Sequence, residues 1–122
     1  MLPEAREKLQ SKIAELKNSN ILIIVEGKKD RAALKELGIT NITQLSKKSI
    51  PSIIDDISES ENQCAILTDL DKEGKKLYGK LSIGLQKNGI KTNNSFRNFL
   101  YKETKLRTIE GLKNYHLDSQ QF

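Results

Sequence analysis

The chain has 122 residues, 36% of them hydrophobic and 30% charged, with a formal net charge of +5 and a pI of about 9.3. That length suits one domain with a real core. The composition argues against disorder, and the basic excess suits either a polyanionic partner or simple solubility. The single cysteine, Cys64, excludes a disulfide framework or a thiolate metal site within one chain. The longest apolar run, Ile21–Val25, is far too short to cross a bilayer, and no signal peptide is visible, so a cytoplasmic location is expected.

Residues 3–18 read as an amphipathic helix: Pro3 suits a first turn, and Leu9, Ile13 and Leu16 share a face. Residues 21–25 are apolar and uninterrupted, as in a parallel strand covered on both sides. Gly27 permits a turn, and Ala32, Ala33, Leu34 and Leu37 continue as a helix stopped by Gly38. A weaker strand is expected around residues 39–44. Ser49 then reads as the cap of a helix over residues 51–58, with Ile53, Ile54 and Ile57 inward. Cys64–Thr68 is a second buried strand, and Gly74–Lys87 a helix with Leu77, Leu81 and Leu85 at spacing four. Asn88-Gly89 signals a turn, residues 90–93 a short last strand, and residues 96–101 and 108–115 one or two closing helices. Strand and helix alternate, so the class is α/β with a mostly parallel sheet. The strand order 2-1-3-4 makes the first and third strands neighbours.

That order matters because both clear strands end in acids. Ile21–Val25 runs into Glu26-Gly27-Lys28-Lys29-Asp30, and Ala65–Leu67 into Thr68-Asp69-Leu70-Asp71-Lys72-Glu73-Gly74. In extended chain, residues i and i+2 point the same way, so Asp69 and Asp71 stand together. Two close carboxylates repel unless a cation lies between them, and Mg²⁺, a hard ion with oxygen ligands, is the natural occupant, with Mn²⁺ an alternative. Ligands of parallel sheets sit beyond the carboxyl ends of the strands, where Glu26 would meet Asp69. The plainer alternatives are a capping aspartate at the next helix and a surface glutamate near a helix start.

The Glu26-Gly and Asp30 pattern, followed by Thr68-Asp-Leu-Asp-Lys-Glu-Gly74, resembles the Toprim (topoisomerase–primase) domain over about residues 20–93. The aspartate segment is similar to the acidic motif of type IA topoisomerases, with Lys75 where those enzymes usually carry a further glutamate. In length the chain looks like the small stand-alone Toprim proteins, and like the Toprim part of the ribonuclease that matures five-S ribosomal RNA. The resemblance implies a Rossmann-like fold with Glu26 as general acid or base and possible metal ligand. It implies Asp69 and Asp71 as Mg²⁺ ligands, Glu73 as a possible third, and Asp30 as the second acid of a Glu-x-x-x-Asp pattern. Gly27 and Gly74 would serve backbone geometry beside the site.

Lys28, Lys29, Lys72, Lys75, Lys76 and Arg97 are the candidate phosphate contacts on a basic half of the chain; the plain alternative is a solvated helix face. Phe96, Phe99 and Tyr101 interleave with Arg97 and Lys102, but their spacing reads better as core than as a base-stacking platform. Tyr78, Tyr101 and Tyr115 raise the question of a covalent tyrosyl intermediate. Topoisomerases bring that tyrosine from a separate domain, so topoisomerase activity is not expected here, and His116 reads as incidental. The expected function is Mg²⁺-dependent phosphoryl transfer on nucleic acid, a nuclease preferring RNA to DNA, with room for a protein partner. The alternative from another class is a non-catalytic module that binds RNA or a ribonucleoprotein around a structural Mg²⁺. A haloacid-dehalogenase-like phosphatase fits poorly, because its aspartate pair follows the first strand and Glu73 stands where it usually has threonine.

Overall fold

The computed structural model describes residues 3–46 and 48–113. Four strands, β1 (Leu22–Val25), β2 (Ile42–Gln44), β3 (Gln63–Ile66) and β4 (Lys91–Thr92), form one sheet in the order β2-β1-β3-β4. Every pairing is parallel, with Ile23 opposite Ile42 on one side and Ala65 on the other. Five helices surround it: α1 (Pro3–Ser19), α2 (Lys28–Glu36), α3 (Ile50–Ser60), α4 (Lys72–Lys87) and α5 (Ser95–Glu103). This is the α/β, Rossmann-like arrangement expected from the alternating elements. The element boundaries move by a few residues: β3 begins at Gln63 rather than Cys64, and α4 begins two residues before Gly74.

The period of two along each central strand sorts side chains into two cores. Ile23, Val25, Ala65 and Leu67 face α1, α2 and α5, meeting Leu9, Ile13, Leu34, Phe96 and Leu100. Leu22, Ile24, Cys64 and Ile66 face α3 and α4, meeting Ile53, Ile57, Leu81 and Leu85. Both faces of β1 and β3 are therefore covered, which is why those strands are apolar at every position but the exposed first residue of β3, Gln63. Phe96 lies in the first core with Phe99 and Tyr101 packed against it, so the stacking-platform arrangement is not formed.

Helix ends follow local chemistry. Ser49 caps α3 by accepting from the Ser52 amide at 3.2 Å. Gly38 (φ 86°) follows the end of α2 and Gly89 (φ 77°) the end of α4, both in the left-handed region glycine tolerates. After α5 the expected helix does not begin at residue 108: residues 108–111 are bend and turn, Leu112 and Lys113 are helical, and the rest of the expected span lies outside the described residues. Ile109 and Leu112 are completely buried in the first core. Tyr115 and His116 lie outside the described residues. Among the described residues, no helix is long and apolar enough to cross a membrane.

Candidate functional site

β1 and β3 are neighbours, and their carboxyl ends continue side by side. The Leu67 amide donates to the Ile24 carbonyl at 2.8 Å, extending the ladder. Two residues further the ladder passes to a side chain: the Asp69 amide donates to Glu26 Oε2 at 2.7 Å. Glu26 thus holds the backbone of the very residue whose carboxylate was expected to share its site.

Each acid at this end of the sheet gives an oxygen to a backbone amide. Asp30, only 7% exposed, reaches back from the first turn of α2 to accept from the Gly27 amide at 3.2 Å. Asp71 caps α4 by accepting from the Gly74 amide at 2.7 Å, so the plain capping role is real and uses Oδ1. Asp69 Oδ1 accepts from the Ile109 amide at 2.9 Å. Glu26, Asp69 and Asp71 each keep a second oxygen with no hydrogen-bond partner among the described residues. Among the described residues the salt bridges are Lys12–Glu15, Lys48–Asp56 and Lys113–Glu110, so none of the four acids is ion-paired.

The electrostatics follow. Burial raises the pKa of Glu26, opposed by the Asp69 amide and reinforced by the charges of Asp69, Asp71 and Asp30. Burial also raises Asp69, with the Ile109 amide opposing and Asp71 and Glu110 adding repulsion. Asp30 is raised for the same first reason, with Asp69 the main repelling charge. Mutually repelling, half-buried carboxylates with spare oxygens are the donor chemistry a hard divalent ion satisfies. Among the described residues no three acidic, histidine or cysteine side chains are already gathered into a finished ligand set. Glu26, Asp69 and Asp71 fit such an ion by donor type and charge, with Glu26 and Asp69 already in contact.

The other expected residues divide. Glu73 is exposed in the first turn of α4 and makes no hydrogen bond or ion pair with the other acids. Gly74 is required by packing: a Cβ there would collide with the Asp69 carbonyl oxygen and lie 2.7 Å from its carbon. A Cβ on Gly27, at φ −150°, would meet nothing within 4 Å, so the turn it makes does not need glycine. Lys28, Lys29, Lys72, Lys75 and Lys76 are exposed in the first turns of α2 and α4, both of which start at the acidic strand ends. Arg97 is the correction. Expected on a phosphate-binding surface, it is 9% exposed, because it sits on the inward side of α5 beside Phe96 and Leu100.

Several site contacts have no signature in the sequence. Arg97 Nη2 donates to the Asp69 carbonyl at 3.2 Å, and the Tyr101 hydroxyl donates to the Thr68 carbonyl at 3.0 Å. The Arg107 carbonyl accepts from the Leu70 amide at 2.8 Å. Glu110 comes close enough to act on Asp69 and Asp30, its own pKa held down first by a hydrogen bond from Lys113. Burial raises the Tyr101 phenol, which suits a hydrogen-bond donor rather than a nucleophile. Only Thr68, beside the aspartates, was within reach of motif reading; its hydroxyl donates to the Gly74 carbonyl at 2.7 Å.

Acidic ends on adjacent parallel strands, joined by a glutamate-to-amide bond, define a class of domain. The chain belongs to the Toprim domain family, whose model matches residues 21–100. Its relatives include the UPF0292 proteins of two archaea. That of Methanosarcina barkeri is 35% identical, covering 92% of this chain and 80% of that protein. That of Pyrococcus furiosus is 37% identical, covering 86% and 82%. A solved structure of a protein from Aquifex aeolicus is also similar, at 34% identity and a TM-score of 0.78, covering 84% of this chain and 95% of that one. Toprim domains generally bind divalent metal ions, Mg²⁺ among them, and are associated with nucleic acids.

Proposed function

We propose that this chain is a Mg²⁺-dependent phosphoryl-transfer enzyme acting on nucleic acid, a nuclease that prefers RNA to DNA. The observation that carries the reading is the Glu26 carboxylate bonded to the Asp69 amide, with Asp71 near enough to raise the Glu26 pKa. Asp69 and Asp71 would hold the ion through their spare oxygens, with Glu26 a shared ligand or proton carrier and Glu73 reachable only by a change of rotamer. When bound, the ion would draw charge from a phosphodiester oxygen and ease both attack and departure.

The residues supply the rest. Glu26 holds a proton more readily than a free glutamate, which suits it to take one from an attacking water or give one to the leaving oxygen. Asp30, buried on the Gly27 amide, holds the turn that carries Glu26 and adds negative potential; its role is positioning rather than contact with substrate. Lys28 and Lys29 on one side, and Lys72, Lys75 and Lys76 on the other, offer phosphates a cationic margin around the acids. The preference for RNA rests on the resemblance to the ribosomal RNA maturation ribonuclease. An additional protein partner and an intracellular setting are parts of the same reading.

The second reading, a non-catalytic module with a structural Mg²⁺, is favoured by one observation: Glu26, Asp30, Asp69 and Asp71 each spend an oxygen on backbone. The test incubates the wild type, Glu26→Gln and Asp69→Asn with structured and single-stranded RNA and DNA, with and without Mg²⁺ or Mn²⁺. Metal-dependent cleavage lost by roughly a hundredfold or more in both variants is expected of the enzyme, the scale of removing a proton carrier. Salt-sensitive binding without cleavage, unchanged in both variants, would instead establish the module. Saturating Mg²⁺ should raise the melting temperature of the wild type and leave Asp69→Asn/Asp71→Asn unmoved.

A further inference from the structure

Arg97 is the one arginine of the described chain that is buried against the acidic strand ends, and its surroundings are unusual for a cation. No carboxylate pairs with it among the described salt bridges. Its guanidinium instead lies 4.4 Å from the centre of the Tyr78 ring and 5.2 Å from that of Tyr101, within range of cation–π attraction on both sides. Tyr78 packs with the core under α3 and α4, and Tyr101 with the core under α1, α2 and α5. Arg97 therefore spans the end of the sheet between the two cores.

What it holds there is backbone. Nη2 donates to the Asp69 carbonyl at 3.2 Å and stands 3.5 Å from Thr68 Oγ1, while Nε has no partner. The Asp69 carbonyl is also the group against which Gly74 packs without a side chain. Burying the guanidinium costs desolvation, offset in part by the Asp69 charge, the two rings and the bond to the Asp69 carbonyl. Its polar contacts converge on Thr68 and Asp69 at the end of β3.

We propose that Arg97 is a positioning residue of the acidic site: by gripping the Asp69 peptide it keeps the Asp69 amide on Glu26 and the Asp69 carboxylate beside Asp71. Its consequence for metal affinity rests on the function proposed above, whereas its grip on the peptide does not. Partners that orient ligand-bearing groups typically change metal affinity by about 10- to 100-fold when removed.

The test compares the wild type, Arg97→Met and Arg97→Lys without metal, following amide hydrogen exchange of Asp69 and, as reference, of Ile23 and Ile24 in β1. In Arg97→Met, exchange at Asp69 should accelerate by about tenfold, well beyond any change at the reference amides of β1. Arg97→Lys, which retains charge and one donor, should recover part of the protection. Titration calorimetry with Mg²⁺ should then show affinity lower by at least about tenfold in Arg97→Met. Unaltered Asp69 exchange in a folded variant, equal acceleration at Asp69 and the reference amides, or failure of both variants to fold would each overturn the proposal. If the wild type binds no Mg²⁺, the metal reading falls, and the Asp69 exchange alone decides for or against Arg97.

Discussion

The two acidic strand ends are built on opposite plans. At the end of β1 most bonds are local: Gly27 turns, Asp30 caps back onto it and α2 begins. The Ser46 amide on the Glu26 carbonyl and the Glu110 backbone at Asp30 reach in from elsewhere. At the end of β3, almost every group is fixed from elsewhere in the chain. Glu26 takes the Asp69 amide, Arg97 its carbonyl, Ile109 its carboxylate, and the Arg107 carbonyl the next amide. Tyr101 holds the Thr68 carbonyl from the same side. A site assembled this way has one half built largely within its own turn and one half braced mainly by the segment that follows β4. Of those braces Arg97 lies within the part of the chain the Toprim model matches, and Tyr101, Arg107 and Ile109 lie beyond it.

The sharpest way to break that comparison is to place a methyl group at each end. Gly74→Ala puts a Cβ against the backbone of Asp69, which Glu26 and Arg97 already hold and which cannot yield without releasing one of them. The expected cost is about 3 kcal/mol, the upper range for overpacking, with loss of Mg²⁺ binding. Gly27→Ala meets open space at an extended φ and should change stability by no more than about 0.5 kcal/mol. Denaturant unfolding of the two variants measures both. Comparable losses at the two positions would mean that the β1 end is braced as heavily as the β3 end.

A subtler cut removes one brace without adding bulk. Thr68→Val keeps shape but deletes the hydroxyl that donates to the Gly74 carbonyl, inside a fully buried side chain. The loss should be about 1 kcal/mol, the usual net worth of such a bond, or a melting temperature lower by about 4 °C. The β1 end offers no such hydroxyl: its local bond is made by the Asp30 carboxylate to the Gly27 amide. A drop confined to Mg²⁺ affinity, with unchanged melting, would place the Thr68 hydroxyl outside the folding balance altogether.

This asymmetry also explains what could be read from the residues and what could not. That β1 and β3 are buried parallel strands follows from apolar runs alternating with helices. The meeting of Glu26 with Asp69 came with the expected order 2-1-3-4, which the sheet has. Asp30 was visible through the Glu-x-x-x-Asp pattern of the Toprim resemblance, not through the cap it makes. Arg97 was misplaced on the surface because charge alone suggests exposure, and the two rings that enclose it come from different helices. The Ile109 amide carries no side-chain signature at all, and the run around it, polar and lysine-rich, gives no hint that Ile109 and Leu112 are fully buried. Glu110 likewise reads as an ordinary surface acid until the turn brings it beside Asp30 and Asp69.

The smallest expected effect is electrostatic, and its sign separates the two ends from an ordinary acidic surface. Glu26, Asp30 and Asp69 all have pKa values raised in the folded state, first by burial. Over the window between their ordinary and raised values, the folded protein binds more protons than the unfolded chain, so stability falls as pH rises through it. Without divalent metal, acidifying from neutrality into that window should therefore raise the melting temperature, by an amount kept small by solvent screening at a half-open site. Glu26→Gln keeps an oxygen to accept from the Asp69 amide while removing the charge, so it should melt higher than the wild type at pH 7 and flatten the slope. Mg²⁺ at saturation should invert the slope in the wild type, since protons then compete with the ion for the same oxygens. A metal-free wild type that loses stability over this interval would mean that the acids are better solvated, or better paired, than their places at the strand ends imply.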